Sequence, residues 1–220
     1  MTCEVWALIP VKNTEGAKQR LSPVLSPDDR QGLFLAMLGD VLTALAGARR
    51  LDGTLVLTRD PTAAGMATAV GAEVASETSN DGHSAAVQRG AEHLRARGRD
   101  AMLALPADIP LLQSAEVDAL IESLKPGPAL SIAPSLDEFG SNGVLVSPPD
   151  LFEFAFGDDS FRPHLARARA AGADPAVLEL PGFQLDVDRP DDLRRFASQK
   201  SDTRAYRYLL DRNLLGKLCV

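Results

Sequence analysis

Between Ile9 and Leu21 the chain places Lys12, Lys18 and Arg20 around Gly16, without helical or strand periodicity. This stretch leaves the apolar run Val5 to Ile9, which reads as a buried strand. A loop at the carboxyl end of a parallel strand is where α/β proteins place ligand chemistry. Cations there suit a polyanion such as a nucleoside triphosphate, Lys as a point charge and Arg as a fork. On these residues alone a solvated basic loop serves equally well. Three acids add weight. Asp108 follows the compact apolar run Ala101 to Leu105, and Asp186 and Asp188 alternate along an extended stretch, which puts both side chains on one face. Together they could hold Mg2+, a hard ion that takes oxygen ligands and keeps waters and substrate phosphates in its shell. Singly, each has a plainer reading: Asp108 as a helix cap or loop ligand, Asp188-Arg189-Pro190 as the cap of the next helix. Their company with a basic loop in one chain favours a metal–phosphate site.

The elements that must position these groups alternate in type. Ser26-Pro27-Asp28-Asp29 reads as a helix start, with Ser as N-cap, Pro at the first position and acids in the first turn. Leu33, Met37, Leu38, Val41, Leu42 and Leu45 carry that helix to about Gly47. A strand over 53–58, a short Ala-rich helix opened by Arg59-Asp60-Pro61, and a strand over 71–75 follow. The polar stretch from Glu77 to Gly82 reads as a turn. A helix over 83–97, a strand over 101–105, a helix over 114–124 and a strand over 129–133 complete the repeating part. Repeated βα units imply a mostly parallel sheet with helices on both faces, a single Rossmann-like α/β domain over 1–200. Further on, Val144-Leu145-Val146 and 176–180 read as strands, and 160–171 and 191–196 as helices. The tail over 201–220 reads as helical, packed on the domain or at a homodimer contact.

Size and composition bound the rest. A chain of 220 residues can bury a substantial core without disulfides. The net charge of −7 argues against a nucleic-acid binder, which needs a basic face. Cys3 and Cys219 have no pairing framework, as in a reducing cytosol. No cationic start followed by an apolar run, and no apolar stretch near the ~20 residues of a membrane span, leads to the expectation of a cytoplasmic protein with no membrane role.

Five segments in order carry a resemblance: Ile9-Pro10-Val11-Lys12 with Ala17-Lys18-x-Arg20-Leu21; Asp108-Ile109-Pro110-Leu111; Gly140-Ser141-Asn142; Phe156-Gly157-x-x-Ser160-Phe161-x-x-His164; and Leu185-Asp186-Val187-Asp188-x-Pro190-x-Asp192-Leu193. The chain resembles the 2-phospho-L-lactate/phosphoenolpyruvate guanylyltransferases of coenzyme F420 biosynthesis, within the molybdenum-cofactor-guanylyltransferase-like nucleotidyltransferases. The resemblance covers about residues 5 to 196. It implies a nucleotide-diphospho-sugar transferase-like fold and transfer of GMP from GTP to a small phospho-acid, with release of pyrophosphate. The acceptors in view are 2-phospholactate, phosphoenolpyruvate and 3-phosphoglycerate. It further implies Asp108, Asp186 and Asp188 as Mg2+ ligands, with Lys12, Lys18 and Arg20 embracing the triphosphate. Pro10, Val11, Gly82, His83 and Ser84 would stand on the nucleotide side, and Ser141, Asn142, Gly157, Ser160 and His164 on the acceptor side. Backbone N–H groups at the Gly157-x-x-Ser160 helix opening would make an anion site. His164, one turn beyond Ser160 on the same face, reads equally as an acceptor contact and as a packed histidine.

Three departures stand out. The family's Gly-Leu-Asn near the nucleobase is Gly82-His83-Ser84 here, which bears on guanine selectivity. Gly-Thr-Asn is Gly140-Ser141-Asn142, keeping the hydroxyl, and Gly143 stands where Ala is expected. Two competing readings remain: a sugar-nucleotide glycosyltransferase using Asp186-x-Asp188, and a nucleotide-binding regulator without catalysis.

Overall fold

In a computed structural model, which describes residues 3–76 and 82–218, a seven-stranded sheet in the order β3-β2-β1-β4-β6-β5-β7 organises the chain. The strands are β1 (Val5–Val11), β2 (Gly53–Thr58), β3 (Glu73–Ala75), β4 (Ala101–Ala104), β5 (Ala129–Pro134), β6 (Ser141–Ser147) and β7 (Ala176–Val177). The helices are α1 (Pro27–Gly47), α2 (Pro61–Ala69), α3 (His83–Ala96), α4 (Ser114–Glu122), α5 (Phe161–Ala170), α6 (Pro181–Gln184), α7 (Pro190–Ser198), α8 (Arg204–Asp211) and α9 (Leu215–Leu218). Strands β3, β2, β1 and β4 run parallel, as do β5 and β7, whereas β6 is antiparallel to both β4 and β5.

Strand alternation sorts the core into two layers. Val5, Ala7, Ile9 and Val11 of β1 pack with α1, α2 and α4 through Leu38, Val41, Leu42, Ala63 and Leu120. Trp6 and Leu8 point to the other face and meet Val87, Ala91 and Leu94 of α3 and Ala168 of α5. Both faces are thus covered, which is what a buried parallel sheet requires. Ser26 caps α1 as its sequence suggested, its side chain accepting from the Asp29 N–H, and Asp60 caps α2 by accepting from Thr62 and Ala63.

Two expected strands come out shorter, and one expected turn is not described. The strand expected over 71–75 starts only at Glu73, because Gly71, at φ +82°, still closes α2. The strand expected over 176–180 reduces to Ala176–Val177, since only Ser131 and Ile132 of β5 pair with it. The turn expected from Glu77 to Gly82 lies outside the described residues except for Gly82.

A third apolar cluster joins the outer face of α1 to α7 and the tail: Leu33 and Met37 with Leu193, Phe196, Leu209, Leu214 and Leu218. Asp40 of α1 fastens the start of α8 by accepting from the backbone N–H groups of Arg204 and Ala205, at 2.7 and 2.9 Å. Among the described residues no helix is long and apolar enough to cross a membrane.

Candidate active site

The carboxyl ends of β1 and β4 open onto a cleft of about 930 Å3 and a neighbouring cavity of about 450 Å3. Arg20, His83, Pro106, Asp108 and Asp188 line both, so the seam between them carries the charged groups. Because β6 is antiparallel, it begins where β1 and β4 end. That direction delivers Ser141 and Asn142, its first residues, to the same edge.

The three acids converge. The Val187 N–H donates to the Asp108 carbonyl at 3.0 Å, which ties the 184–188 segment alongside the end of β4. Asp186 accepts from Asn142 Nδ2 at 3.1 Å. Burial, together with the nearby charges of Asp108 and Asp188, pushes its carboxyl up to about 6 despite that bond. Asp108 offers one oxygen to Lys18, and its other, Oδ1, is buried without a hydrogen-bond partner. A buried carboxylate oxygen with no donor is costly and points to a missing cation or donor.

Lys18 occupies the middle of this group. Its ammonium contacts Asp108 and donates to Asp188 at 2.5 Å, with its side chain only 5% exposed. Burial works to lower its pKa, but the charges of Asp108 and Asp188 outweigh that and raise it. The same pairing holds Asp188 below the ordinary carboxylate range, against burial, with Arg20 helping from 3.4 Å. The Lys18 backbone sits in the left-handed region, at φ 55° and ψ 44°, where a non-glycine residue costs on the order of 1–3 kcal/mol. This turn aims the side chain inward. Lys18, expected on the triphosphate, is therefore engaged with the two carboxylates. Lys12 is exposed and lines the smaller cavity with Pro10, whereas Val11 is buried and lines a separate hollow beside Asp60. Among the described residues no three acidic, histidine or cysteine groups stand ready around one ion, since the ammonium takes the central place.

The Gly82-His83-Ser84 segment is divided in its contacts. Gly82, at φ +100°, is the N-cap of α3 and needs glycine. His83 stacks edge-on against Phe156, with centroids 4.8 Å apart. Burial depresses its pKa, the Asp108 charge opposes this and Lys12 adds to it. The Ser84 hydroxyl accepts from the Phe156 N–H at 2.8 Å and donates to the Phe156 carbonyl at 3.1 Å. Ser84 thus grips the loop expected on the acceptor side.

On that side, Gly157 stands open: a Cβ there would meet no protein atom, and its φ is not left-handed. The backbone N–H groups of Ser160 and Phe161 both donate to the Phe139 carbonyl, at 2.8 and 3.0 Å. The expected anion site at that helix opening is therefore already paired at those two positions. The Ser160 hydroxyl donates to Ser141 Oγ at 3.2 Å, and Ser141 Oγ lies 3.1 Å from His164 Nδ1. His164 is fully buried and lines neither cavity, so it meets the site through Ser141 and the Phe156 ring.

Two features escaped the sequence. Asp60 anchors the basic loop by accepting from the Thr14 N–H at 2.9 Å and hydroxyl at 2.6 Å, in addition to capping α2. The 135–140 hairpin loop, with Leu136 and Phe139 exposed, walls the large cleft. The departure at Gly143 has a packing cause: a Cβ there would fall 2.7 Å from the Phe183 ring.

Residues 5–215 match the family described as guanylyl transferase CofC like. A phosphoenolpyruvate guanylyltransferase from Rubrobacter xylanophilus is 41% identical over 191 residues, 87% of this chain and 92% of that protein. A 2-phospho-L-lactate guanylyltransferase from Methanothermobacter thermautotrophicus is 34% identical over 203 residues, 92% and 88% of the two chains. The crystal structure of a Desulfovibrio desulfuricans G20 protein, provisionally a nucleotide-diphospho-sugar transferase, superposes with a TM-score of 0.80 over 98% of each chain at 20% identity. That last likeness bears on the fold alone.

Proposed function

Since the chain belongs to the CofC-like guanylyl transferase family, we propose that it transfers GMP from GTP to a three-carbon phospho-acid, phosphoenolpyruvate or 2-phospholactate, and releases pyrophosphate. One observation carries this reading: Asp108 and Asp188 line both of two adjoining cavities, with Lys18 reaching them from the smaller and Asp186 beside them in the larger, where a nucleotide α-phosphorus and an acceptor phosphate would come together. The acceptor's phosphate oxygen is ionised at neutral pH and attacks without a general base. A bond forms from that oxygen to Pα as the bond between Pα and the α,β-bridging oxygen breaks, and the electron pair leaves with that oxygen on pyrophosphate. The chain's task is positioning and charge neutralisation.

The donor set fits a divalent ion such as Mg2+. The partnerless Asp108 Oδ1 supports this, once Lys18 gives up its place between Asp108 and Asp188. When bound, the ion would neutralise phosphate charge between Asp108, Asp186 and Asp188. Lys18 holds the carboxylates in place meanwhile and would be released toward the phosphates, with Lys12 and Arg20 beside it. His83, at the wall common to both cavities, would contact the nucleotide. Gly157 leaves room for an acceptor oxygen to approach the backbone, which explains a glycine that neither packing nor φ demands.

Pyrophosphate release with Mg2+ tests this, crossing four nucleoside triphosphates against phosphoenolpyruvate, 2-phospholactate and 3-phosphoglycerate. Release is expected with GTP and one of the first two acids, and to cease with EDTA. Release that needs no acceptor, or none at all while a sugar nucleotide is consumed, would overturn the reading.

A further inference from the structure

We propose that His164 is a positioning residue that fixes the Ser141 hydroxyl as a hydrogen-bond donor toward the anionic acceptor. The inference rests on the acceptor occupying the cleft that Ser141 lines, as read above.

The argument starts from a group whose role is unambiguous. The Ala155 backbone N–H can only donate, and it lies 3.2 Å from His164 Nε2. Nε2 must then present its lone pair. A neutral imidazole with a bare Nε2 carries its proton on Nδ1, and Nδ1 lies 3.1 Å from Ser141 Oγ. That N–H donates to Ser141. The Ser160 hydroxyl donates to the same oxygen at 3.2 Å. A hydroxyl oxygen accepts two hydrogen bonds, so both lone pairs of Ser141 are filled and what it retains is its own proton. Ser141 lines the 930 Å3 cleft, and its proton is what this hydroxyl has left to offer a ligand there. An oxyanion, which only accepts, is the matching partner.

The surroundings hold the ring in this state. His164 is wholly buried and walled by Phe152, Phe154 and Phe156, with centroids 5.7, 6.1 and 4.8 Å away. Burial, with Arg167 adding to it, lowers its pKa to about 4, so the ring stays neutral at physiological pH. A second ring proton would point at the Ala155 N–H, two donors facing each other. The acceptor-side motif thus has a physical reason for its spacing: His164 stands one turn beyond Ser160, so both reach Ser141.

The test uses the full chain in two arms. Long-range 1H–15N correlation spectra of the imidazoles, assigned among His83, His93 and His164 by single substitutions, should show His164 as the Nδ1–H tautomer at pH 7.5. An Nε2–H tautomer there would overturn the proposal, whatever the variants do. In the kinetic arm, with GTP and phosphoenolpyruvate, His164→Asn places an amide N–H near the position of Nδ1. It should keep the acceptor KM within about threefold, whereas His164→Phe should raise it on the order of tenfold, as expected for a hydrogen bond to a charged group. The KM for GTP should not change. Equal acceptor KM in both variants, or a parallel rise in the KM for GTP, would reduce His164 to a packing role. If Ser141→Ala left the acceptor KM unchanged while the Nδ1–H tautomer was present, the acceptor assignment of the cleft would fall, and the donor role with it.

Discussion

Replacing Lys18 with Met removes a buried ammonium while keeping most of its apolar stem. At an effective dielectric near 20, each of its two carboxylate contacts is worth roughly 4 kcal/mol before desolvation is counted. Removing one partner of a buried ion pair typically costs about 3–5 kcal/mol, because the other charge is left uncompensated. Here the two abandoned carboxylates differ. Asp108 is 17% exposed and Asp188 is 39% exposed, so water can screen the second. The expected loss is therefore about 2–4 kcal/mol at pH 8. Its pH dependence has a definite sign. In the native chain Asp188 is held below its ordinary 3.8, a contribution present at neutral pH and lost only as pH falls through the acid range. Lys18 is raised above its ordinary 10.5, a contribution lost only in strong alkali. Between pH 5 and 8 the Lys18–Asp188 pair therefore leaves native stability unchanged, and the native chain's own fall over that window comes from Asp186, raised to about 6. In the variant, three acids face one another without the ammonium, and the folded state binds protons that the unfolded chain has released. Variant stability should fall more steeply than that of the native chain as pH rises from 5 to 8. Urea denaturation of both chains at pH 5 and 8 measures the gap, and millimolar Mg2+ should narrow it by filling the vacated place. A loss under about 1 kcal/mol at pH 8, or one independent of pH, would refute the view of Lys18 as the counter-ion of the cluster.

Other outcomes follow from separate contacts. Gly143→Ala should cost about 1–3 kcal/mol in urea denaturation by driving a Cβ into the Phe183 ring, and Phe183→Leu in the same chain should recover part of it. Because His164 is held near 4 against an ordinary 6.5, the unfolded chain binds the extra proton first. Its contribution is complete above about pH 6.5 and is lost toward pH 4, by up to about 3 kcal/mol, and His164→Phe should flatten that part of the stability–pH curve. Asp60→Ala should cost about 1–2 kcal/mol through the lost α2 cap. By freeing Thr14 it should also raise the KM for GTP without moving that of the acceptor, in steady-state assays.

How much of this the sequence revealed depended on the range of the interactions. The Ser26 cap, the Asp60-Pro61 helix start and the 53–58 strand rest on neighbours within a few residues, and all were legible. The direction of β6 was not, because Val144-Leu145-Val146 is equally apolar whichever way it runs, and only pairing with β4 decides. The acids of the site could be named from their places after strands and along an extended stretch. What they touch could not. Lys18 reaches Asp108 across 90 residues and Asp188 across 170, and Ser84 grips Phe156 across 72. Those pairings engage the lysine expected on the triphosphate with two carboxylates, and join the serine expected beside the nucleobase to the loop expected on the acceptor side. Gly143 was visible as a departure, but its cause, the Phe183 ring, lay 40 positions away.

The central claim, nucleotidyl transfer at the seam between the two cavities, is tested most directly by following label. The purified chain, Mg2+ and phosphoenolpyruvate or 2-phospholactate would be incubated with GTP labelled at either the α- or the γ-phosphorus. The account predicts that α-label enters the acceptor product while γ-label appears only in pyrophosphate, and that Asp108→Asn abolishes both. Transfer of γ-label to the acceptor, or turnover that survives Asp108→Asn, would contradict it.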